Sequence, residues 1–377
     1  MSDEPRGGLL KRRDLLRLPL VAGKGAALGA RGPGTPPGST PGTLPVDPDA
    51  LPPRVTVIAY GPHELTEFVV EDLEQLGRLR GRYPVLWVDM DGVRHAPTVQ
   101  RVGDAFGLHR LALEDVGHIG QQTKSEIFED HIFLVARMVR LCPGLDLEQV
   151  SIFVGSDYVI TFQERPGDPL DPVRARLRGS RGRIRSAGPD YLAYAILDAV
   201  VDHCFPVVEA YAERLDLLED EILGHPSRET MNQLHGVRRD LVALRRAVWP
   251  LRDALAALVR EPPAGLVDPD TVVYLRDVQD HLVQIVDLVE GCRELGSSLT
   301  DLYLSSVGNR TNEIMKVLTI FAAIFIPLGF ITGLYGMNVV QPPFWLRSLG
   351  VAEASMAAIT VGLLLFFWRR GWLGGSQ

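Results

Sequence analysis

The sequence predicts an α+β membrane protein with a soluble α/β domain, a long helical stalk and two transmembrane helices near its C-terminal end. Three patterns support this fold class. Short β-rich runs alternate with helical segments up to residue 188, a heptad-like apolar spacing follows residue 268, and two apolar runs come after it. We expect a disordered extension over residues 1–53, the α/β domain over 54–188, the stalk over 189–312 and the membrane domain over 313–373.

Length, charge and cysteine content exclude several classes of protein. A chain of 377 residues corresponds to about two or three domains. The 39 Lys and Arg residues are outnumbered by 47 Asp and Glu residues, which argues against a nucleic-acid binder because such a protein needs surplus basic charge. Cys142, Cys204 and Cys292 are far apart in sequence, which excludes a disulfide scaffold and a cysteine-rich zinc site.

Two apolar runs have the length and composition of membrane spans. Residues 317–335 (VLTIFAAIFIPLGFITGLY) would rise about 28 Å as a helix, which matches the hydrocarbon thickness of a bilayer. Pro327 is tolerated in such a helix. Residues 354–368 (ASMAAITVGLLLFFW) form the second run, which ends at Arg369 and Arg370. The alternative is a buried apolar hairpin in a soluble core.

The basic residues around the two runs predict the orientation of the protein. Arg310 and Lys316 precede the first run and Arg369 and Arg370 follow the second, whereas the connecting loop carries only Arg347 as a basic residue. The positive-inside rule then places both termini in the cytoplasm. We therefore expect a multi-pass protein of the cell (inner) membrane.

The N-terminal 53 residues show no pattern of a folded domain or a leader peptide. Lys11, Arg12 and Arg13 superficially resemble a twin-arginine signal, but Arg17 and Lys24 interrupt the apolar stretch that such a signal requires. Residues 31–53 are rich in Gly, Pro, Ser and Thr, which predicts disorder.

Between residues 54 and 188 the pattern is mixed. The expected strands are residues 55–59, 85–88, 131–138, 150–154 and 158–162, with the last two forming a hairpin, and the expected helices include 64–79 and 98–106. An arginine-rich stretch over residues 174–185 lacks interleaved aromatic residues, so we interpret it as a solvated face or a contact with acidic neighbours.

From residue 191 onward the pattern is helical. We expect helices over residues 191–223 and 229–259, and a third that begins at Pro269 with Asp268 as its N-cap. A stripe of residues at spacings of three and four then predicts that this helix packs along partner helices. The stripe is Leu275, Val278, Leu282, Ile285, Val289, Cys292, Gly296, Leu299 and Tyr303. Because no proline interrupts it before Pro327, we expect one helix to continue into the first membrane run.

The first membrane run ends in Tyr335, Gly336, Met337 and Asn338, and here the chain resembles the CorA family of divalent-cation channels. The signature of that family is Gly-Met-Asn at the outer end of the first of two C-terminal spans. The resemblance extends through residues 303–338 and includes 274–281 (YLRDVQDH), 249–252 (WPLR) and 106–115 (FGLHRLALED).

This resemblance implies a funnel-shaped homopentamer in the lipid bilayer with a selectivity filter at Gly336, Met337 and Asn338. Mg²⁺ sheds its octahedral water shell reluctantly, and a ring of neutral Asn338 carbonyls can accept hydrogen bonds from those waters. Further along the pore the resemblance places Asn312, Met315, Leu318, Ala322 and Ile326. The alternatives are ordinary helix packing for Met315 and Leu318, and a helix C-cap for Asn338.

The family also implies regulatory divalent ions between neighbouring subunits that hold the channel closed. The matching positions are Asp277 on the long helix and Asp115 in the α/β domain, with Glu114 beside it. Facing carboxylates repel each other, and a bound Mg²⁺ turns the repulsion into a bridge. By sequence alone, an aspartate at either position is more often a surface charge, and the resemblance is what favours a regulatory ligand.

Two departures from the family pattern concern conduction. The loop after the signature has Gln341, Pro342 and Pro343 where relatives usually carry an acidic residue, and Gly329 stands where a pore threonine is common. From the loop we expect weaker concentration of cations at the pore mouth, and from Gly329 the loss of one polar ring in the pore.

The expected function is Mg²⁺ influx, with Co²⁺ and Ni²⁺ as further candidate ions. The alternatives are a zinc transporter of the same superfamily and a non-conducting, membrane-anchored sensor. An enzyme is not expected, because the sequence contains no phosphate-binding loop and no nucleophile–base constellation, and we expect no organic cofactor.

Overall fold

We describe the protein from a computed structural model, which covers residues 40–45, 47, 50, 53–142, 144–336 and 349–373. These residues divide into two compact units. The first contains the chain up to Glu221 together with Ser227–Leu299, and the second contains Ile222–Pro226 together with the described residues from Thr300 onward.

Seven strands of the described chain form one sheet in the first unit, in the order β2-β1-β3-β7-β6-β5-β4. The strands are β1 Arg54–Tyr60, β2 Leu65–Val69, β3 Val85–Asp91, β4 Lys124–Ile127, β5 His131–Leu141, β6 Leu145–Gly155 and β7 Tyr158–Gln163. Neighbouring strands are antiparallel except β3 and β7, which are parallel and end together at Asp91 and Gln163. Parallel strands need a long crossover, and the helices between β3 and β7 belong to it.

The helices of the described chain account for most of the rest of the fold. They are α1 Glu74–Leu79, α2 Ala96–Phe106, α3 Arg110–Gly117, α4 Asp171–Arg178, α5 Pro189–Asp202, α6 Cys204–Gly224, α7 Arg228–Arg260, α8 Pro269–Gly336 and α9 Leu349–Arg369. The helix expected over residues 191–223 is two helices, because the backbone of His203 separates α5 from α6.

The expected hairpin between residues 150 and 162 is confirmed. Strands β6 and β7 pair antiparallel, with Val154 opposite Val159, and Ser156 and Asp157 form the turn. The helix expected over residues 64–79 is wrong in its first part. Residues 65–69 form β2, which pairs with β1 along the sheet edge, and only Glu74–Leu79 is helical. Tertiary pairing overrides local helix propensity at this edge.

The sheet lies between two layers of helices. Its first face carries a buried apolar cluster that includes Val57, Val88 and Ile160 of the strands and Val102 and Phe106 of α2. Helices α5 and α7 contact strands β5 and β6. Leu44, which falls within the predicted disordered extension, is 8% exposed and joins the cluster, so that extension is ordered at this position.

Helix α8 begins and continues as the sequence predicts. The Asp268 carboxylate accepts a hydrogen bond from the backbone N–H of Asp270 at 2.8 Å, as an N-cap does. Of the predicted stripe, Leu275, Val278, Leu282, Ile285, Val289, Cys292 and Leu299 are buried. The helix runs without a break from Pro269 to Gly336, with Pro327 inside it.

Three described helical segments are long and apolar enough to cross a membrane: Pro189–Gly224, Pro269–Leu334 and Gly350–Arg369. In the first, 67% of the most apolar window is buried inside the protein, so its apolar side chains serve the core. In the other two segments, only 0% and 11% of the most apolar window is buried, so their apolar side chains do not pack into a core of the described chain. The two exposed segments are the two that the sequence predicts as spans.

Replacing Gly155 by Ala is expected to destabilise the first of the two units, which contains the α/β domain and is called the soluble unit below. A Cβ atom at Gly155 would lie 2.3 Å from the Cε1 atom of Tyr158, whose ring is 1% exposed and packs on Phe106 with ring centroids 4.8 Å apart. Such overpacking costs about 1–3 kcal/mol. We expect a lower thermal midpoint in circular dichroism of the full-length protein in detergent.

The control for this experiment is Gly77→Ala. Gly77 lies in helix α1, and no atom stands within 4 Å of the place that a Cβ atom would take there, so alanine should be neutral or slightly stabilising. A Gly155→Ala midpoint equal to that of Gly77→Ala would contradict the overpacking argument.

Candidate functional site

The predicted pore residues lie on one face of the second half of α8. At about 100° per residue, Asn312, Met315, Leu318, Ala322 and Ile326 fall within an arc of about 120°. Asn312, Met315, Leu318 and Ile326 are exposed in the single chain, and Ala322 is partly exposed. This face is therefore polar at Asn312 and apolar beyond it, and it lacks a partner inside the described chain.

The threonine hydroxyls on this part of the helix donate hydrogen bonds to backbone carbonyls one turn earlier in the same helix. Thr311 donates to the carbonyl of Val307 at 2.9 Å, Thr319 to that of Met315 at 2.7 Å and Thr332 to that of Leu328 at 2.8 Å. Such bonds are a usual way for Thr to be accommodated in an apolar helix. The stretch beyond Asn312 thus offers mainly apolar surface, which suits a constriction that closes by excluding water.

The predicted selectivity filter is described only at its first residue. Gly336 is the last residue of α8 and is exposed. Met337 and Asn338, and the loop with Gln341, lie outside the described residues, so their role stays a prediction.

Asp115, a predicted regulatory ligand, is held within its own chain. Its carboxylate accepts hydrogen bonds from Lys124 Nζ and from Gln121 Nε2, each at 2.6 Å. Burial alone would lower the pKa of Lys124, but its hydrogen bonds to Asp115 and Glu126 outweigh burial and raise it. A metal ion at Asp115 would therefore have to compete with an ammonium group already in place.

Glu114, beside it on α3, makes a different contact. Its Oε2 atom accepts a hydrogen bond from the backbone N–H of Gly42 at 2.6 Å. Glu114 thereby ties the segment before β1 to helix α3, which is a structural use of the carboxylate. Neither role was visible in the sequence, because both partners depend on the fold.

Asp277, the other predicted ligand, is exposed on α8 next to a cluster of ionisable groups. One turn further along α8, His281 Nδ1 lies 3.3 Å from Asp202 Oδ1 of α5. Oxygen and nitrogen atoms of Asp198, Asp202 and His281 all lie within 4.8 Å of one another. Burial, followed by the charge of Asp202, raises the pKa of Asp198, and Asp277 adds to that effect.

Asp115 and Asp277 have different neighbours within one chain. Asp115 forms an ion pair with Lys124, whereas the charge of Asp277 contributes to raising the pKa values of Asp198 and Tyr194. Asp198 and Asp202 were not among the site residues predicted from the sequence. Their spacing of four matches that of Asp277 and His281, so two predicted helices each carried an i, i+4 pair of potential ligands.

Most of this chain resembles one known family of transport proteins. The family described as "CorA-like Mg2+ transporter protein" matches residues 84–370, which is most of the chain and includes every predicted site residue. The chain belongs to the CorA family. That family consists of metal-ion transporters.

Relatives and a solved structure agree with this assignment. The chain is 42% identical over 325 residues to the cobalt/magnesium transport protein CorA of Thermotoga maritima, covering 85% of this chain and 92% of that protein. It is 30% identical over 253 residues to the CorA of Methanocaldococcus jannaschii, covering 65% and 78%. The complete structure of the latter magnesium transporter superposes with a TM-score of 0.69 at 21% identity, covering 85% of this chain and 98% of that one. The fold with a soluble α/β domain and a long helix is thereby confirmed.

The CorA match also covers a second carboxylate cluster, at the shared end of the parallel strands β3 and β7. Asp89 accepts hydrogen bonds from Thr161 Oγ1 at 2.6 Å and from Gln163 Nε2 at 2.8 Å. Arg174 bridges Asp89 and Asp168, with its Nη1 atom 2.7 Å from Asp168 Oδ1. Because one guanidinium and several donors saturate these carboxylates, the cluster is an internal ion-pair network of the domain.

Asp91 is the third carboxylate of this cluster, and no donor to it is found among the described residues. Its oxygen lies within 4.8 Å of those of Asp89 and Asp168. Burial, reinforced by the charges of Asp89 and Asp168, raises the pKa of Asp91 to about 6. The folded protein therefore binds a proton here at a pH where the unfolded chain does not.

Replacing Asp91 by Asn is expected to stabilise the protein at neutral pH. A raised pKa means that stability is highest below the unfolded value and falls as the pH rises through about 6, because the charged form is disfavoured in the fold. The variant lacks that cost. Its thermal midpoint should exceed the wild-type value at pH 7.5, and the difference should vanish below pH 4. A difference that persists at pH 4 would contradict this origin.

Proposed function

We propose that this chain forms a channel for divalent cations that carries Mg²⁺, and also Co²⁺, into the cytoplasm down the electrochemical gradient. The observation that carries the proposal is an uninterrupted helix in a chain of the CorA family. This helix has no charged residue from Val317 onward, its most apolar window is not buried, and it ends at Gly336 of the Gly-Met-Asn signature. A relative at 42% identity is a cobalt/magnesium transport protein.

The proposed assembly is a homopentamer in the inner membrane, with α8 of each subunit lining a central pore and both termini in the cytoplasm. The unpartnered face of α8 from Asn312 to Ile326 supports this arrangement, because an exposed apolar face with one polar end suits a pore wall. Segments Pro269–Leu334 and Gly350–Arg369 would cross the bilayer as two spans.

Ion selection is proposed to act on hydrated Mg²⁺ at Gly336, Met337 and Asn338. Mg²⁺ keeps its water shell strongly, and neutral amide carbonyls can accept hydrogen bonds from those waters without holding the ion too tightly. No acidic residue occurs between Glu313 and Glu353 in the sequence, so no carboxylate on that stretch competes for the ion. Below the filter, the apolar members of the pore face would form the gate.

Closure is proposed to follow from cytoplasmic Mg²⁺ bound near Asp277. Its neighbourhood contains Asp198 and Asp202, and burial, followed by the negative charge of Asp202, raises the pKa of Asp198. Carboxylate oxygens are the ligands that Mg²⁺ prefers, so the donor set fits the ion. Asp115 and Glu114 of a neighbouring subunit would complete the site, and Lys124 would then have to move away from Asp115.

Replacing Asn338 by Ala is expected to abolish selective Mg²⁺ flux, because the acceptors for the water shell of the ion are lost. The measurement is Mg²⁺ influx into vesicles reconstituted with the full-length protein under an inside-negative potential. Hexammine–cobalt(III), an inert mimic of hydrated Mg²⁺, should block the wild type. Asn232→Ala, the same change at an exposed position of the soluble helix α7, is the control.

The outcomes of that experiment separate the competing functions. Zn²⁺ flux without Mg²⁺ flux would support a zinc transporter. No flux of either ion in protein shown to be assembled would contradict the channel and support a sensor.

Replacing Asp277 or Asp198 by Asn is expected to weaken closure by Mg²⁺. Each change removes a negative charge from the proposed site, so the Mg²⁺ concentration on the cytoplasmic side that halves the flux should rise about ten-fold or more. Asp280→Asn is the matched control, because Asp280 is an exposed carboxylate on the same helix outside the cluster. Equal closing concentrations in all variants and the wild type would rule out this site as the sensor.

A further inference from the structure

One face of helix α9 forms a groove near its C-terminal end. The groove has a volume of about 440 Å³ and is lined by Gly362, Leu365, Phe366, Arg369 and Arg370. These residues follow the spacing i, i+3, i+4, i+7 and i+8, which places them on one side of the helix. The groove is therefore apolar for about one turn, from Gly362 to Phe366, and ends one turn further on in two guanidinium groups.

The depth of the groove comes from Gly362. No atom lies within 4 Å of the position that a Cβ atom would occupy there. Beside it, Leu365 and Phe366 are each 53% exposed, so the walls are apolar and uncovered in the described chain. Gly362 and Arg369 are separated by about 10 Å along the helix axis.

The charged end of the groove lies where the helix stops. The Arg370 guanidinium lies 5.6 Å from the centroid of the Phe366 ring. Gly371 then takes a positive φ of 73°, a conformation that glycine adopts without strain, and the chain turns back. The Trp372 ring stacks on Phe367 with centroids 5.4 Å apart. Tryptophan next to arginine at the end of an apolar helix is typical of the membrane–water interface.

The two arginines carry charge that the described chain does not neutralise. In residues 349–373 the only carboxylate is Glu353, which is sixteen residues, or about 24 Å of helix, from Arg369. Across the other described segments no ion pair with Arg369 or Arg370 is found. An anion from outside the chain is therefore the natural counter-charge for this end of the groove.

We infer that this groove binds an anionic phospholipid of the cytoplasm-facing leaflet. Its phosphate lies against Arg369 and Arg370, and its acyl chain runs along Gly362, Leu365 and Phe366. A lipid supplies both the negative charge and the apolar chain that the two ends of the groove require. The inference rests on the proposed insertion of α9 into the membrane.

The test uses tryptophan quenching by brominated lipids. Full-length protein is reconstituted in phosphatidylcholine vesicles that contain a minor fraction of either brominated phosphatidylglycerol or brominated phosphatidylcholine. All forms of the protein carry Trp345→Phe, which removes the tryptophan between the two apolar runs from the signal. Trp368 and Trp372 flank the groove, whereas Trp87 and Trp249 belong to the first unit and serve as the unquenched background. We expect stronger quenching by the anionic lipid, and we expect salt to reduce the difference.

The charge variant is the combination Arg369→Gln and Arg370→Gln. Each basic side chain near an anionic surface contributes to binding by roughly five-fold, so the preference for phosphatidylglycerol should fall by roughly twenty-five-fold. Arg310→Gln is the matched control, because Arg310 is exposed on α8 ahead of the first apolar run and lies outside the groove. It should keep the preference.

The groove variant is Gly362→Leu, which fills the space without changing charge and should also reduce the preference. Equal quenching by the two lipids in the wild type would overturn the inference, as would a full preference in the double arginine variant. A smaller oligomer in that variant by light scattering, with the lipid preference intact, would assign the face to a contact between copies. Mg²⁺ flux is measured separately, so a protein that binds the lipid but does not conduct would contradict only the proposed transport.

Discussion

The main constraint on this protein is that helix α8 has to be stable in two different surroundings. In its first half, an apolar stripe from Leu275 to Leu299 is buried in the soluble unit while charged residues face outward. From Val317 onward no charged side chain occurs on the helix, and its most apolar 18-residue window is not buried inside the protein. A helix satisfies its own backbone hydrogen bonds, so it is the one element that can pass from water to lipid without a break.

The carboxylates of the soluble unit differ in how far neighbouring groups of the chain neutralise their charge. The less a carboxylate is neutralised, the more available it is to a cation. Asp89 and Asp168 are saturated by Arg174 and neighbouring donors, and Asp115 is occupied by Lys124. The group of Asp198 and Asp202 beside Asp277 has weaker compensation, since Arg176 and His281 act on Asp198 only through space. Excess negative charge that is not neutralised internally is where a divalent ion gains most. This contrast supports a sensor role at Asp277 more strongly than at Asp115.

The proposed function depends on features that a single chain cannot complete. The proposed pore face, Asn312 to Ile326, could line a pore only if copies of it surrounded an axis, and in one chain it is an exposed, mainly apolar surface. The support for a transport function therefore comes from family membership rather than from the geometry of one chain. Residues 84–370 match a family of metal-ion transporters, and the Gly-Met-Asn signature occurs where the first apolar segment ends. The groove on α9 differs from the proposed pore face because one chain completes it: its two arginines and its apolar walls all lie on a single helix.

Local patterns along the chain were enough to predict several features of the fold. The hairpin around Gly155, the N-cap at Asp268, the long helix and the two exposed apolar segments all follow from residue periodicity, turn residues and helix-capping chemistry, and each is present in the structure. Other features became visible only in three dimensions: residues 65–69 form an edge strand, Leu44 enters the core, and Lys124 occupies Asp115. The fold also brings Asp198 and Asp202 to His281. These features depend on contacts between residues far apart in the chain, and the pattern within one segment carries no information about which distant side chain will face it.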